Sequence, residues 1–553
     1  MGEAASDPAP SPRARRAALA AIVFVYLVYS SFGVAHPVLW GHYGHHAGEY
    51  LLRALASLRF HLVVPATSPG FAPPRPETIY LHHPIGYHHL YTLLIALFGN
   101  HHWIAAVAPA LSGLLVMWAL HSLVARHWGE RAAIGAVAAW VALPFVWSFS
   151  ILTDAMFPAM ACSIVTTDSL LRYLQSPSKR PLRNAALATA IGALLFWEAY
   201  LQTALFTVVC LIWWKDKGRN ARLGSLPAPL LWIVVTGAVA LAGLALHASF
   251  VLRYTMVADL LKAYRLRSRD GLLPTLEQNG YWLLRLYGPV VETIGLAWLA
   301  LFIVRARRGK ARLRDLAITT FAAINIVYIA LFPKATNVHL YRVFWFSTSF
   351  VLAAIDLACD FVAWLDKGER GRLSTRPMMT IVVSLCAALV LPQSIADLIE
   401  SRAVMGSIGF QPYDADYPRQ LFAREVALRT SPGDVIALHA NIPHRVEFLY
   451  VLDRTIVDIN RLDAVPALAA SNRRMVVLTD GNPAPSERPV LAALMKDHAA
   501  IRFGRWLMID LRAPGSGVRE VSFRAERPTL LWWWFVSHVY PPMRPVERAA
   551  SLR

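Results

Sequence analysis

Between Trp40 and Gly99 the chain carries an acid, Glu49, with His45 and His46 four and three residues before it, within about one helical turn. A carboxylate or an imidazole within hydrogen-bond reach of a hydroxyl or amine can serve as its general base. Eleven of the nineteen histidines lie between His36 and His102. His42, His45, His46, His82, His83, His88 and His89 are of a type that ligates zinc. No HExxH occurs, and the histidine pairs are adjacent rather than four apart, so their side chains diverge on a helix. Three readings stay open for these residues: a divalent metal (His45, His46 and His82 being the candidate ligands), hydrogen bonding to a phosphate or sugar, and solvated polarity.

Further chemistry-bearing residues stand beside apolar runs. Asp154, in SFSILTDAMFP, heads one such run; it reads both as a helix N-cap and as a functional acid, and the two roles are compatible. Glu198 sits in the break Trp197-Glu198-Ala199-Tyr200, which makes Glu198 and Tyr200 pocket candidates. The stretch from Arg253 to Arg285 holds Arg253, Lys262, Arg265, Arg267, Arg269 and Arg285. Guanidinium forks suit a lipid-linked phosphate, and they suit anionic lipid head groups equally well. His339, Tyr341 and Arg342, in NVHLYRVFW, stand at another predicted mouth.

The elements that must position these groups are hydrophobic. The chain has 553 residues, 56% hydrophobic and only 16% charged, well below the charge of an ordinary soluble domain. Eleven spans are expected: Ala17–Ala35, His102–Leu123, Ala132–Phe149, Phe157–Leu174, two within Ala185–Trp214, Leu230–Val251, Gly288–Val304, Leu316–Phe332, Tyr341–Leu365 and Met378–Leu398. The net charge of +19 comes mostly from short basic clusters between these spans, a topology signal rather than a nucleic-acid footprint. They place the N-terminus in the cytoplasm and every such cluster but that of Arg253–Arg285 on the same side. The reading is a polytopic α-helical membrane protein. It has a cytoplasmic tail (1–16), a membrane domain (17–398) with an outer loop (36–101), and a small α/β domain on the outer face (399–553).

Within the outer loop, Leu51, Leu55, Leu58 and Leu62, and then Leu90, Leu93, Leu94 and Leu97, fall near one face of each of two interfacial helices. The link Thr67–Pro76 holds Pro69, Pro73, Pro74 and Pro76 and cannot be continuous helix. After Ser401, VIALHA, FLYVLDRTIVDI and RMVVLTD have strand-like apolar patterns, separated by helix-like Tyr417–Leu428 and Pro489–Lys496. Residues 530–542, LLWWWFVSHVYPP, are aromatic enough for a membrane interface. The four cysteines lie in apolar runs as small core residues, and the absence of a Walker motif argues against an ATP-driven pump.

Residues 80–133, YLHHPIGYHHLYTLLIALFGNHHWIAAVAPALSGLLVMWALHSLVARHWGERAA, resemble the GT-C glycosyltransferases. The likeness is to bacterial relatives of the protein O-mannosyltransferases and the lipid A aminoarabinose transferases, and it extends over roughly Ala17–Leu398. In that family an acid in the first outer loop is the catalytic base, a second acid heads the fourth span, and basic or hydroxyl groups hold a lipid phosphate. By position, Asp154 matches the second acid. Tyr80 and His83 match a tyrosine and lysine on the phosphate, and the loop with Arg265 and Arg269 matches an arginine donor. Tyr341 with His339 matches a His/Tyr element. The family's first-loop acid lies about nine residues before an arginine resembling Arg53. That position is Gly44 here, so Glu49 or His45 substitutes as base, while Ile85 and His83 replace a proline and a lysine.

The resemblance implies transfer of a sugar from a polyprenyl-phosphate donor to an envelope lipid, glycan or protein at the outer leaflet. Glu49 or His45 would be base, Asp154 would assist, and His83 with the loop arginines would neutralise the leaving phosphate. The alternatives are a lipid or solute transporter, which would call for repeated halves and polar residues deep in the spans, and an inactive envelope-assembly scaffold.

Overall fold

The computed structural model describes residues 11–35, 41–70, 73–74, 78–80, 84–176, 178–196, 198–205, 208, 261, 264–265, 268, 272–338, 340–367, 413–442, 446–471, 474–515, 517–525 and 543–548. The expected spans Leu230–Val251 and Met378–Leu398 and the aromatic segment 530–542 lie outside them. The chain forms two compact units, one of residues 1–32, 81–87 and 106–401, the other of residues 33–80, 88–105 and 402–553.

The first unit is helical. Its described helices are α1 (Pro12–Ala35), α4 (Ile104–His127), α5 (Glu130–Ala142), α6 (Pro144–Phe149), α7 (Met156–Gln175), α8 (Lys179–Leu195), α9 (Leu272–Arg307), α10 (Leu313–Leu331), α11 (Pro333–Val338) and α12 (Trp345–Lys367). Five described helices are long and apolar enough to cross a membrane: α1, α4, the part of α9 from Leu286, α10 and α12. The expected span Ala132–Phe149 is not continuous. Leu143 is extended (φ −62°, ψ 134°) and divides α5 from α6, because Pro144 bars the helical conformation in the residue before it. α9 starts at Leu272, well before the expected Gly288, and bends where Gly288 takes φ +81° ahead of Pro289. The break expected near Trp197 is present: α8 stops at Leu195, and residues 198–205 are helical again.

Close approaches hold the bundle. Tyr26 donates to the Ala110 carbonyl at 3.0 Å, and a Cβ on Gly113 would overlap its hydroxyl. At the basic cluster, the wholly buried Asp356 accepts from Trp128 and Trp298 (both 3.0 Å) and pairs with Arg305, Arg312 and Arg314. A buried carboxylate needs such compensation.

The second unit contains α2 (Gly41–Phe60), most of α3 (Gly86–Phe98) and an α/β sheet of residues 413–548. The helices and strands run α13 (Tyr413–Arg429), β1 (Val435–His439), α14 (Val446–Leu452), β2 (Thr455–Ile459), α15 (Val465–Ser471), β3 (Met475–Asp480), α16 (Arg488–Asp497), β4 (His498–Phe503), β5 (Trp506–Pro514), β6 (Val518–Ala525) and β7 (Met543–Arg548). The strand order is β2-β1-β3-β5-β4-β6-β7. β2, β1 and β3 are mutually parallel, β5 is antiparallel to β3 and β4, and β6 is parallel to β4 and antiparallel to β7. The period-two alternation of a strand sends Ile436, Leu438, Val476 and Leu478 into one core with Phe422 and Phe448. Ala437 and Val477 face the other core, with Leu462, Leu491 and Leu507.

The segment FLYVLDRTIVDI is not all strand. Its first half completes α14, because Phe448 and Leu452 at i and i+4 face the same core. Asp453 then turns the chain at φ +45°, donating its N–H to the Leu449 carbonyl, before β2 begins. α2 also differs from an amphipathic surface helix. Leu51 and Leu55 are buried, but so are Leu52, Arg53, Ala54 and Ala56. The physical reason is a partner from far along the chain: α2 packs against α14, with Gly48 so close to Glu447 that a Cβ would come within 2.5 Å of its Cα. On α3, by contrast, Leu93, Leu97 and Phe98 are exposed.

Candidate active site

Each unit gathers one cluster of the residues singled out from the sequence. In the second unit the centre is Glu49 on α2. Arg53, one turn on, donates from Nη2 to Glu49 Oε1 at 2.8 Å and from Nε to Thr67 Oγ1 at 3.1 Å. Arg53 is almost wholly buried, whereas Glu49 keeps 19% of its side chain exposed. Tyr80 lies beneath the guanidinium, with its ring centroid 3.5 Å from Arg53 Cζ. The Pro-rich link makes this meeting possible. It doubles back in a short antiparallel pairing, with Thr67 N–H donating to the Thr78 carbonyl (2.8 Å) and Tyr80 N–H to that of Pro65 (2.9 Å). Thr67 and Tyr80 are thereby returned to α2.

His45 Nε2 lies 3.7 Å from Glu49 Oε1, and its Nδ1 lies 3.8 Å from Glu447 Oε2 on α14. Glu447 is fully buried, with Arg419 Nη2 at 3.8 Å from its other oxygen. His88 stacks on Tyr50 at 4.5 Å and meets Tyr80 edge-on at 5.9 Å. Burial first, then the charges of Arg53 and His89, hold the His88 pKa well below the ordinary histidine value, so this imidazole is neutral.

In the first unit, Arg342 joins two acids. Its Nη1 donates to Glu198 Oε1 at 3.4 Å, and its Nη2 lies 4.0 Å from Asp154 Oδ2. All three side chains are at most 4% exposed. The Phe196 ring centroid lies 4.6 Å from Arg342 Cζ. Asp154 comes from the turn between α6 and α7, Glu198 from the first described helical residue after the end of α8, and Arg342 from the short 3-10 turn Leu340–Val343. Helix ends and breaks leave room for polar groups where regular apolar faces do not. Asp154 stands one residue before the N-cap, which is Ala155 rather than the expected aspartate; its Oδ1 accepts the Met156 N–H at 3.1 Å while Oδ2 faces Arg342.

Other predicted residues stand elsewhere. Arg265 is exposed. His82, His83, Arg269 and His339 lie outside the described residues, as does the side chain of Tyr341. Tyr200 is half-buried two residues after Glu198. Of the metal candidates, His45 and His46 set their rings at 82° with centroids 6.2 Å apart. Among the described residues no three His, Cys, Asp or Glu groups are placed to hold a metal ion. Sequence reasoning missed Thr67, Arg419 and Glu447 as site residues. No local motif marks them: Thr67 is returned to α2 by the pairing of residues 65–67 with 78–80, and Glu447 and Arg419 enter through the packing of α2 against α14.

Comparisons with known proteins agree with this architecture. The profile of the dolichyl-phosphate-mannose-protein mannosyltransferase family matches residues 82–250. No curated protein sequence matches the chain. The structure of ArnT from Cupriavidus metallidurans bound to undecaprenyl phosphate superposes with a TM-score of 0.59 at 15% identity, covering 91% of this chain and 98% of that one. The archaeal oligosaccharyltransferase AglB from Archaeoglobus fulgidus, in complex with an inhibitory peptide and a dolichol-phosphate, gives 0.53 at 13% identity over 88% of this chain and 72% of that one. The chain has the GT-C fold and is a fold relative of the O-mannosyltransferases and of ArnT.

Proposed function

We propose that this protein is a membrane glycosyltransferase that moves a sugar from a polyprenyl-phosphate donor to a hydroxyl or amine of an envelope lipid, glycan or protein at the outer leaflet. The observation that carries the reading is the grip of Arg53 on Glu49. Arg53 and His45 both approach Oε1, while the side chain keeps access to solvent. A carboxylate held in place yet still part-exposed can meet an acceptor as its general base. The fold shared with proteins whose structures hold undecaprenyl phosphate and dolichol-phosphate supports the lipid-linked donor.

In this mechanism Glu49 takes the acceptor's proton as the nucleophile attacks the anomeric carbon, and the C–O bond to phosphate breaks with its electron pair leaving on the phosphate. Arg53 spends its guanidinium on Glu49 and Thr67, so its role is to hold the base rather than the lipid phosphate. Arg342 fixes Asp154 and Glu198 as a buried anchor. Arg265, Arg269, His83, His339 and Tyr341 remain the proposed phosphate donors. The N-terminus would face the cytoplasm and residues 399–553 the periplasm of the inner membrane. A divalent metal would be a further proposal, to be read from the metal dependence of turnover.

The test is turnover by the full chain in lipid nanodiscs, offered a panel of undecaprenyl-phosphate pentoses and hexoses with envelope lipid extract as acceptor. Mass spectrometry should detect released undecaprenyl phosphate and a glycosylated acceptor, both lost in Glu49→Gln. If intact donor instead crosses a vesicle membrane without cleavage, the protein is a transporter and the transferase reading fails.

A further inference from the structure

The geometry around Glu447 points to a role for the sheet domain in the chemistry of the first-loop helix. Glu447 is wholly buried, and neither of its carboxylate oxygens has a hydrogen-bond partner among the described residues. Its charged neighbours are His45 Nδ1 and Arg419 Nη2, each at 3.8 Å from a different oxygen. Arg419 is itself almost wholly buried and belongs to the same domain. That pair would satisfy the charge without α2. The backbone nevertheless brings α2 directly onto Glu447, through a glycine with no room for a Cβ. Gly48 lies one turn after His45, so this contact fixes where the imidazole sits.

We infer that Glu447 is a positioning residue for the candidate base: it orients the His45 imidazole so that Nδ1 carries a proton toward Glu447 and Nε2 faces Glu49. The inference rests on the transferase reading for its consequence, but not for its geometry. A carboxylate only accepts hydrogen bonds, and the wholly buried Glu447, unlike the part-exposed Glu49 that Arg53 already holds, depends on His45 Nδ1 and Arg419 for its donors. With Nδ1 so committed, Nε2 stays bare and can accept from Glu49 once that carboxyl has taken a proton. As the acceptor O–H or N–H bond breaks, its proton moves to Glu49, and the proton can then lie between Glu49 Oε1 and His45 Nε2. The two spacings, 3.7 and 3.8 Å, are ones that tighten in a substrate complex or are bridged by one water. Described groups that face His45 include Glu49 and His46 of its own helix and Glu447 of α14, with Arg419 of α13 behind the last.

The test uses the full chain in nanodiscs with 15N-labelled histidine, the His45 signals being assigned by their loss in His45→Gln. At pH 8 the wild-type His45 should carry a proton on Nδ1. Substituting the buried pair together, Glu447→Met with Arg419→Met, removes the acceptor without stranding its partner charge. In that variant the signals should move to the Nε2-protonated form. With any donor that turns over, kcat should fall about tenfold, or roughly 1.4 kcal/mol, with KM within about twofold, as expected for a group acting only through the base. A bare Nδ1 in the wild-type protein would overturn the inference without any variant being needed. So would an unchanged tautomer in the folded double variant. Because the nitrogen signals decide the positioning whether or not any donor is turned over, failure of the transferase reading is told apart from failure of this one.

Discussion

Arg59 and Asp453, 394 positions apart in sequence, form a bidentate pair, with Nη1–Oδ1 at 2.6 Å and Nη2–Oδ2 at 2.5 Å. Arg59 ends α2 and also donates to the Gly70 carbonyl at 2.9 Å, while Asp453 is the left-handed residue that closes α14. This pair and the Gly48–Glu447 contact tie the first-loop helix to the sheet domain, so the candidate base rests on residues from both ends of the chain.

The Arg59–Asp453 pair is about one-fifth exposed on each side. Arg59→Ala or Asp453→Ala should each destabilise the protein by about 1–2 kcal/mol, more than an open surface pair would. Thermal melting of the detergent-solubilised full chain measures this. A double variant no worse than either single substitution would give the coupling of the pair.

Gly48→Ala should cost about 1–3 kcal/mol, because the new methyl meets backbone atoms of Glu447 at 2.5–2.6 Å that have no rotamer to yield. Gly280→Ala is the control, since nothing lies within 4 Å of the Cβ it would gain. That change should leave melting unchanged or raise it slightly.

Asp154→Asn and Asp154→Ala separate the two contacts of this residue. Asparagine keeps an oxygen for the Met156 N–H but removes the charge facing Arg342. With Arg342 left to Glu198 alone, melting should fall by about 1–3 kcal/mol, and turnover at least tenfold. Alanine loses the Met156 contact as well and should melt lower by about a further 1 kcal/mol. Equal turnover in Asp154→Asn and wild type would leave Asp154 with a structural role alone.

His88 predicts a slope of stability against pH. Its folded pKa lies well below the ordinary value of 6.5, so below pH 6.5 the unfolded chain binds a proton that the folded one refuses. Stability is therefore full above pH 6.5 and is lost as pH falls from there toward the depressed folded value. The His88 contribution should be about 1 kcal/mol between pH 7 and pH 5.5. Comparing wild type with His88→Gln across that range isolates it, and parallel curves would show that His88 is not the group responsible.

The sequence by itself determined the class of the protein and much of its local structure. Apolar run lengths located α1, α4, α7, α10 and α12, since one bilayer-length run of helix formers permits little else. Alternation at VIALHA and RMVVLTD located β1 and β3. Asp154 and Glu49 were legible because charge beside apolar runs is costly unless it is used, and Arg53 and Tyr80 only through the family resemblance. Tertiary structure alone decided which of these groups meet. Arg342 binding Asp154 and Glu198, Thr67 and Tyr80 folding back onto Arg53, and Glu447 standing behind His45 are contacts between segments 14 to 402 positions apart. Hydrophobic periodicity tells a helix which face to bury but not against what. The buried face of α2 therefore read as a membrane surface until the sheet domain supplied its partner.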